Sequence, residues 1–271
     1  MLRHALAPLR AVLLVLHILL GLVLVYCAFP FCKLPTRNRI NRWWSRWLVR
    51  ICGARLRVTG QPLPPELAAT GITPGSNGRL LLANHISWID IFAINAVLPC
   101  RFVAKAEIGR WPVLGALVTR AGTLYIERGR RRAVAAANDT MQWYLKLGES
   151  VVVFPEGTTT AGDRLLPFHS NLLAPALEVG CLAWPVALRY TEQGAPSDAA
   201  AFVGEMSLVR SLGRVLVARS LEIEVALLAP LQCPEHPSRH DLARAVQAEL
   251  SAHLGVPVST ERVFDSRGQR S

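Results

Sequence analysis

Lysine is nearly absent: Lys33, Lys105 and Lys146 are the only lysines among 30 basic residues. The bias reads as the codon usage of a GC-rich genome and carries no function by itself. Acid is missing from the first 65 residues, which hold ten basic residues before Glu66. The rest of the chain holds 20 basic and 19 acidic residues, so almost all of the net charge of +11 sits at one end. That location argues against a nucleic-acid partner, which a pI near 10.1 would otherwise suggest. The six cysteines, at 27, 32, 52, 100, 181 and 233, form no CxxC pair and no zinc spacing. Six reduced thiols in a cytosol-facing protein, and no metal, are expected. There is no GxSxG elbow to supply a serine nucleophile, no internal repeat and no low-complexity segment. Charged residues make up only 18%, against roughly 25% in a typical soluble protein. With 51% apolar residues and a mean hydropathy of +0.29, the 271-residue chain is not disordered and leans towards a membrane. Its length suits one large domain, or one domain with appendages.

The apolar excess is concentrated. Residues 11–29 carry no formal charge and are interrupted only by His17. Nineteen helical residues rise about 28 Å, close to the thickness of a bilayer core. A cleaved signal would have a shorter apolar region and a small-x-small site. A lipoprotein site at Cys27 is spoiled by the bulky Tyr26 before it. A retained spanning helix is therefore expected. Arg3 and Arg10 precede it, while Lys33, Arg37, Arg39, Arg42, Arg46 and Arg50 follow, which places the following domain on the cytoplasmic side. Residues 39–52 read as a second membrane element. Ile40, Trp43, Trp44, Trp47, Leu48 and Ile51 share one helical face, and Arg39, Arg42, Arg46 and Arg50 the other. Tryptophan against arginine suits a helix lying in the headgroup layer. An ordinary amphipathic helix packed on the domain gives the same pattern, and both hold if the tryptophans divide between lipid and protein.

After Gly53 the pattern becomes short apolar strands alternating with helices. Strands are expected at 55–58, 80–83, 102–104, 124–126, 151–154, 183–188 and 221–228. Helices are expected at 89–98, 114–119, 131–147, 171–179 and 238–254, the last opened by a Ser238/Asp241 capping box. Residues 61–78 read as a Pro/Gly loop. The alternation predicts an α/β fold, a mostly parallel sheet flanked by helices, preceded by the spanning and interfacial helices. The expected organisation is an anchor over 1–53, a domain over 54–258 and a disordered tail over 259–271. The lone histidines His4, His17, His236, His240 and His253 read as surface or packing residues.

Two segments carry chemistry. Asn84-His85-Ile86-Ser87-Trp88-Ile89-Asp90 lies where a strand gives way to a helix. With the helix starting near Ser87, Asp90 sits about one turn in and reaches back to one imidazole nitrogen of His85. That fixes the tautomer and leaves the other nitrogen as a base, suited to activating a substrate hydroxyl. Val151-Val152-Val153-Phe154-Pro155-Glu156-Gly157-Thr158 is a buried strand ending in a turn, the place where α/β sites lie. Lys105 follows another strand, where a cation can stabilise a developing oxyanion.

With two further blocks these segments carry a family resemblance. The chain resembles the glycerolipid acyltransferases related to 1-acylglycerol-3-phosphate acyltransferase, over about residues 53–230. Asn84–Asp90 fits NHxSWxD with its HX4D signature. Gly122–Arg128 fits GxxxIxR, Phe154–Thr158 fits FPEGT, and Trp184-Pro185-Val186 fits a later apolar-Pro-apolar block. The resemblance implies a membrane-bound O-acyltransferase acting in phospholipid biosynthesis. His85 would be the base and Asp90 its orienting partner. The acceptor hydroxyl of a lysolipid would attack the thioester of acyl-CoA or acyl-carrier protein directly, with no cofactor and no metal. Arg128 would bind an anionic group of the acceptor, since a guanidinium matches phosphate or carboxylate. Glu156, Gly157 and Thr158 would shape the acceptor pocket, and Asn84 and Ser87 would hold the His85 loop. The phosphate-acceptor members usually continue FPEGT with arginine, whereas Thr159 and Thr160 follow here. Arg164 offers compensation from the same loop. The related enzymes that complete ornithine-type aminolipids carry FPEGTT more often. The first acceptor expected is therefore 1-acylglycerol-3-phosphate, and the alternative a lyso-aminolipid such as lyso-ornithine lipid. A non-catalytic protein that binds lipid or acyl carrier is the alternative of another class, and the intact His85 and Asp90 argue against it.

Overall fold

The computed structural model describes residues 2–126 and 131–260. The chain opens with α1 (Leu2–Val23), which runs on through a π-helical turn, Leu24–Ala28, and a 3-10 turn, Phe29–Phe31. Then come α2 (Leu34–Ile51), β1 (Arg55–Gly60), α3 (Pro65–Thr70), β2 (Arg79–Ala83), α4 (Asp90–Val97) and β3 (Arg101–Lys105). They are followed by α5 (Leu114–Arg120), β4 (Leu124–Ile126), α6 (Arg131–Lys146), β5 (Val151–Val153), α7 (Ala174–Val179) and β6 (Leu182–Glu192). The last elements are β7 (Ala195–Pro196), α8 (Leu208–Val217), β8 (Leu221–Leu227), β9 (Leu231–Gln232) and α9 (Arg239–Leu254).

The principal sheet runs β1-β8-β6-β2-β5-β3-β4, with β7 and β9 added to β6. Its pairings are parallel except where β6 meets β8, β7 and β9. The expected mostly parallel sheet flanked by helices is the observed fold. Leu80–Leu82 and Val151–Val153 are fully buried, as central parallel strands covered on both faces must be. The pleat divides them: Leu81 and Val152 join a core under α1, α2 and α4, while Leu80, Leu82, Val151 and Val153 face α6, α7 and α9. Pro185 lies inside β6 without breaking it. β8 pairs from Val186 onward and β9 only up to Ala183, so the proline falls at the junction between them.

Several expectations change in detail. The loop expected over 61–78 contains α3, opened by prolines and closed by Gly71 at φ +67°. The helix expected over 171–179 is a 3-10 turn followed by α7, because Pro175 has no N–H to give. The α8 helix, capped by Ser207, lies between the strands expected at 183–188 and 221–228, where no element is expected. The capping of α9 by Ser238, which accepts from Asp241 N, agrees with expectation. Order extends past the start of the expected disordered tail, since Ser259 N donates to Leu165 O at 2.8 Å. Residues 261–271 lie outside the described residues.

Among the described residues, one helix is long and apolar enough to cross a membrane, spanning Leu6–Phe31. It is also bound to the domain. Leu14, His17, Gly21, Val25 and Phe29 form a buried stripe at helical spacing. Trp44 Nε1 donates to His17 O at 3.0 Å, His17 Nε2 lies 2.9 Å from Trp44 O, and the two rings stack at 4.7 Å. Arg10 reaches α8 through a 2.8 Å bond to Leu216 O. In α2, Trp44 is buried while Trp43 and Trp47 are 48% and 43% exposed, so the tryptophans do divide. A boundary at residue 53 therefore does not divide the core: Leu14, Trp44 and Leu48 pack in one cluster with Leu81 and Ile94.

Candidate active site

The parallel strands β2, β5, β3 and β4 are neighbours, and the sequence blocks follow their C-terminal ends. His85 comes after β2, Pro155–Thr158 after β5, and Lys105 ends β3. Asn84 extends β2 with its side chain: Oδ1 accepts from Leu188 N at 2.7 Å and Nδ2 donates to Leu188 O at 3.0 Å. Its amide does for β6 what another peptide group would do, so the chain can leave the sheet while tied to it. The loop that follows is held by Asp90, which has no exposed surface. Asp90 Oδ2 accepts from Ile86 N at 2.8 Å and Ser87 N at 2.9 Å, and lies 2.8 Å from His85 Nδ1. Asp90 Oδ1 accepts the hydroxyl of Tyr190. The helix begins at Asp90 and not near Ser87, because this carboxylate collects the N–H groups of the preceding turn.

This geometry dictates a tautomer. A buried carboxylate facing Nδ1 requires a proton there, which leaves Nε2 of the neutral ring as the free base. The ring is partly exposed and lies flat against Phe154, centroids 3.9 Å apart. Its plane is thereby fixed. Phe154 enters the sequence pattern only as a letter of the FPEGT block. Its signal was an aromatic residue at the end of an all-aliphatic buried strand. Tyr190 belongs to none of the four blocks; its signal was a polar aromatic in the inward phase of Trp184, Val186 and Leu188.

Glu156 stands apart from the pocket-shaping role expected of it. Its carboxylate is buried and turned onto backbone, accepting from His85 N and Leu166 N, each at 2.9 Å. It braces the His85 loop and presents no charge outward. Burial outweighs these two donors and pushes the carboxyl up to about 7, with the Asp90 charge adding to the effect. Gly157 adopts φ +74°, a conformation that glycine takes without strain. The half-buried Thr158 leads into a segment locked to the same loop. Thr160 N donates to His85 O at 2.8 Å, and Thr159 Oγ1 donates to Phe202 O. Arg164 is half-exposed and faces Asp163 at 3.5 Å, which offsets the compensation expected of it. Ser87 holds the loop with its backbone, not its hydroxyl, which is buried without a hydrogen-bond partner among the described residues. Lys105 is exposed, two strands from β2, which is roughly 10 Å at ordinary strand spacing. Arg128 lies outside the described residues. The Trp184-Pro185-Val186 block is mid-strand and packs the core, with Val186 paired to Ala83 just before the His85 loop.

A small apolar cavity of about 70 Å³ opens between the N-terminal helices and the domain. Val25, Phe29, Trp44, Phe92 and Phe102 line it, and Phe102 stacks on Phe154 at 6.2 Å. Phe154 therefore has His85 on one side and a wall of this cavity on the other.

Comparison with known proteins agrees with the arrangement. Residues 55–189 match the family model Acyltransferase. The chain is 37% identical to the lyso-ornithine lipid O-acyltransferase of Pseudomonas aeruginosa, over 84% of each chain. It is 36% identical to the 1-acyl-sn-glycerol-3-phosphate acyltransferase of Neisseria meningitidis, over 80% of this chain and 81% of the other. The fold is shared with the crystal structure of the 1-acyl-sn-glycerophosphate acyltransferase PlsC from Thermotoga maritima. The TM-score is 0.64 at 17% identity, covering 92% of this chain and 96% of that one. A His–Asp pair at the C-terminal end of the central strand, in a chain with relatives of that kind, makes the protein a member of the acyltransferase family and an enzyme of acyl transfer.

Proposed function

We propose that the enzyme moves a fatty acyl group from acyl-CoA or acyl-carrier protein to the free hydroxyl of a lysolipid at a membrane surface, using His85 as base. The observation that carries this reading is the 2.8 Å contact between His85 Nδ1 and the buried Asp90 carboxylate. His85 Nε2 takes the proton of the acceptor hydroxyl as its oxygen attacks the thioester carbonyl carbon. The resulting oxyanion collapses, the C–S bond breaks, and the imidazolium returns its proton to the departing thiolate. The products are an ester and a free thiol, with no acyl-enzyme between. Lys105 is the candidate cation for the oxyanion, by its place at the end of β3. The transfer is carried by the chain's own residues, and no step is routed through a cofactor or metal. The apolar cavity beside Phe154, lined by Val25, Phe29, Trp44, Phe92 and Phe102, is the seat for part of an acyl chain. The helix over Leu6–Phe31 holds the enzyme at the membrane, and the arginine-rich flank after it supports a cytoplasmic placement of the domain.

The first acceptor is 1-acylglycerol-3-phosphate, with Arg128 as the phosphate ligand and phosphatidic acid as the product. A second, lyso-ornithine lipid, is favoured by Thr159, whose hydroxyl is committed to Phe202 where an arginine is usual. The Pseudomonas relative adds support. Purified enzyme offered lysophosphatidic acid and lyso-ornithine lipid in parallel, with labelled acyl donor, separates the two. His85→Ala must abolish turnover of whichever is used. Arg128→Ala should raise the KM of the acceptor far more than that of the donor, and unchanged constants would remove Arg128 from the pocket.

A further inference from the structure

β6 grips the catalytic loop twice. Leu188 holds Asn84 through backbone groups, and two residues on, in the same phase of the strand, Tyr190 reaches Asp90. Tyr190 is 3% exposed and belongs to the core, so its phenol contacts neither solvent nor an open pocket. Three donors already converge on Asp90 Oδ2. A buried carboxylate needs both oxygens satisfied, and the phenol serves the second. Burial first, then the Asp90 charge and the hydrogen bond, push the phenol well above its usual range, so it stays a donor at every working pH.

We propose that Tyr190 is a positioning residue of the acyl-transfer step, whose hydroxyl holds the Asp90 carboxylate with Oδ2 facing His85 Nδ1 and limits how strongly that carboxylate retains the imidazolium proton. The proposal rests on the reading of His85 as base. It assigns a role to a residue outside all four sequence blocks. Removing the hydroxyl leaves Oδ1 without this donor and the carboxylate more basic. The imidazolium is then held more tightly, and the base becomes available only at higher pH. Among the described residues, the titratable groups facing Asp90 are His85 on its own loop, Glu156 from the segment after β5, and Tyr190 from β6. Glu156 titrates near neutrality, so it must be silenced in the same experiment.

The experiment measures kcat and both KM values against pH in detergent, for the full chain with labelled acyl donor. The forms compared are wild type, Tyr190→Phe, Glu156→Gln, the double variant and His85→Ala. Tyr190→Phe should lower kcat by about 10-fold, the lower end of what loss of an orienting partner costs. Both KM values should stay within about twofold, since the phenol touches neither substrate. The acid limb of kcat/KM should move up by about half a pH unit or more, with Glu156 intact or replaced. Fluorotyrosine at position 190 keeps the ring and strengthens the donor, so the limb should move the other way. It also serves if Tyr190→Phe fails to fold. An acid limb that stays put in these forms overturns the proposal, even where kcat falls. If His85→Ala is dead while Tyr190→Phe matches wild type, Tyr190 alone loses its role. If His85→Ala retains activity, the base assignment itself fails.

Discussion

His85 and Asp90 occupy one loop, yet their removal should read differently. His85 is partly exposed, and its loss leaves the Asp90 carboxylate with Ile86 N, Ser87 N and the Tyr190 hydroxyl. His85→Ala is therefore expected to lose about 10²–10⁴-fold in kcat with little change in Tm. Asp90→Ala strips those three donors of their acceptor in a buried site, at about 1–3 kcal/mol each. It should lose both activity and stability, and thermal unfolding beside kinetics checks the contrast. Glu156 gives a stability signature. Its ordinary value is 4.5 and its folded value about 7. Between those pH values the unfolded chain has released a proton that the folded chain keeps, so stability falls as pH rises through the window and levels off above it. The full change is on the order of 3 kcal/mol. Urea titrations from pH 4.5 to 7.5 should show this slope in wild type and lose it in Glu156→Gln.

At the scale of elements, α2 is the informative case. The i, i+3, i+4 spacing of its tryptophans was legible, and so was the opposing row of arginines. Which tryptophan faces protein was not, because the helical face is wide enough to serve two neighbours and the sequence names only one. Trp44→Ala should destabilise by about 3–5 kcal/mol, as loss of a buried tryptophan does. Replacing Trp43 and Trp47 by alanine should leave Tm nearly unchanged. It should cut turnover on vesicles far more than on detergent-dispersed acceptor, and equal loss in both assays would remove these residues from membrane contact. The strands were legible because covered parallel strands are short apolar runs bounded by turns. The α8 helix keeps Leu208, Leu212, Val215 and Leu216 at helical spacing, but it is only ten residues long and carries Gly213, so the signal is short and weak. The site was legible as far as local sequence reaches: His85 and Asp90 are five residues apart. Phe154, Glu156 and Tyr190 join them through sheet pairing, which no local pattern records.

At the scale of the molecule, the N-terminal helix is both candidate anchor and wall. Removing residues 1–33 takes away Leu14, Val25 and Phe29, each worth ~1.5–3 kcal/mol of burial, and uncovers Trp44 and one side of the apolar cavity. The shortened chain is expected to unfold at much lower temperature or aggregate, as size-exclusion chromatography and calorimetry would report. A soluble, fully stable product would make the helix a mere tether.

The pairing of β1 with β8, Arg55 beside Glu222 through Gly60 beside Leu227, carries a cost in time. During synthesis the first strand emerges soon after the apolar N-terminal helix, and its sheet neighbour among the described residues is one of the last strands made. At ordinary elongation rates that wait is on the order of 10–30 s, long enough for a bare strand edge to find a wrong partner on another nascent chain. β1 meets the interval with exposed arginines at 55 and 57, whose repulsion between copies disfavours such pairing. Ribosome-stalled chains should stay open to protease at β1 until Leu227 has cleared the exit tunnel, and Arg55→Val with Arg57→Val should turn that delay into aggregation.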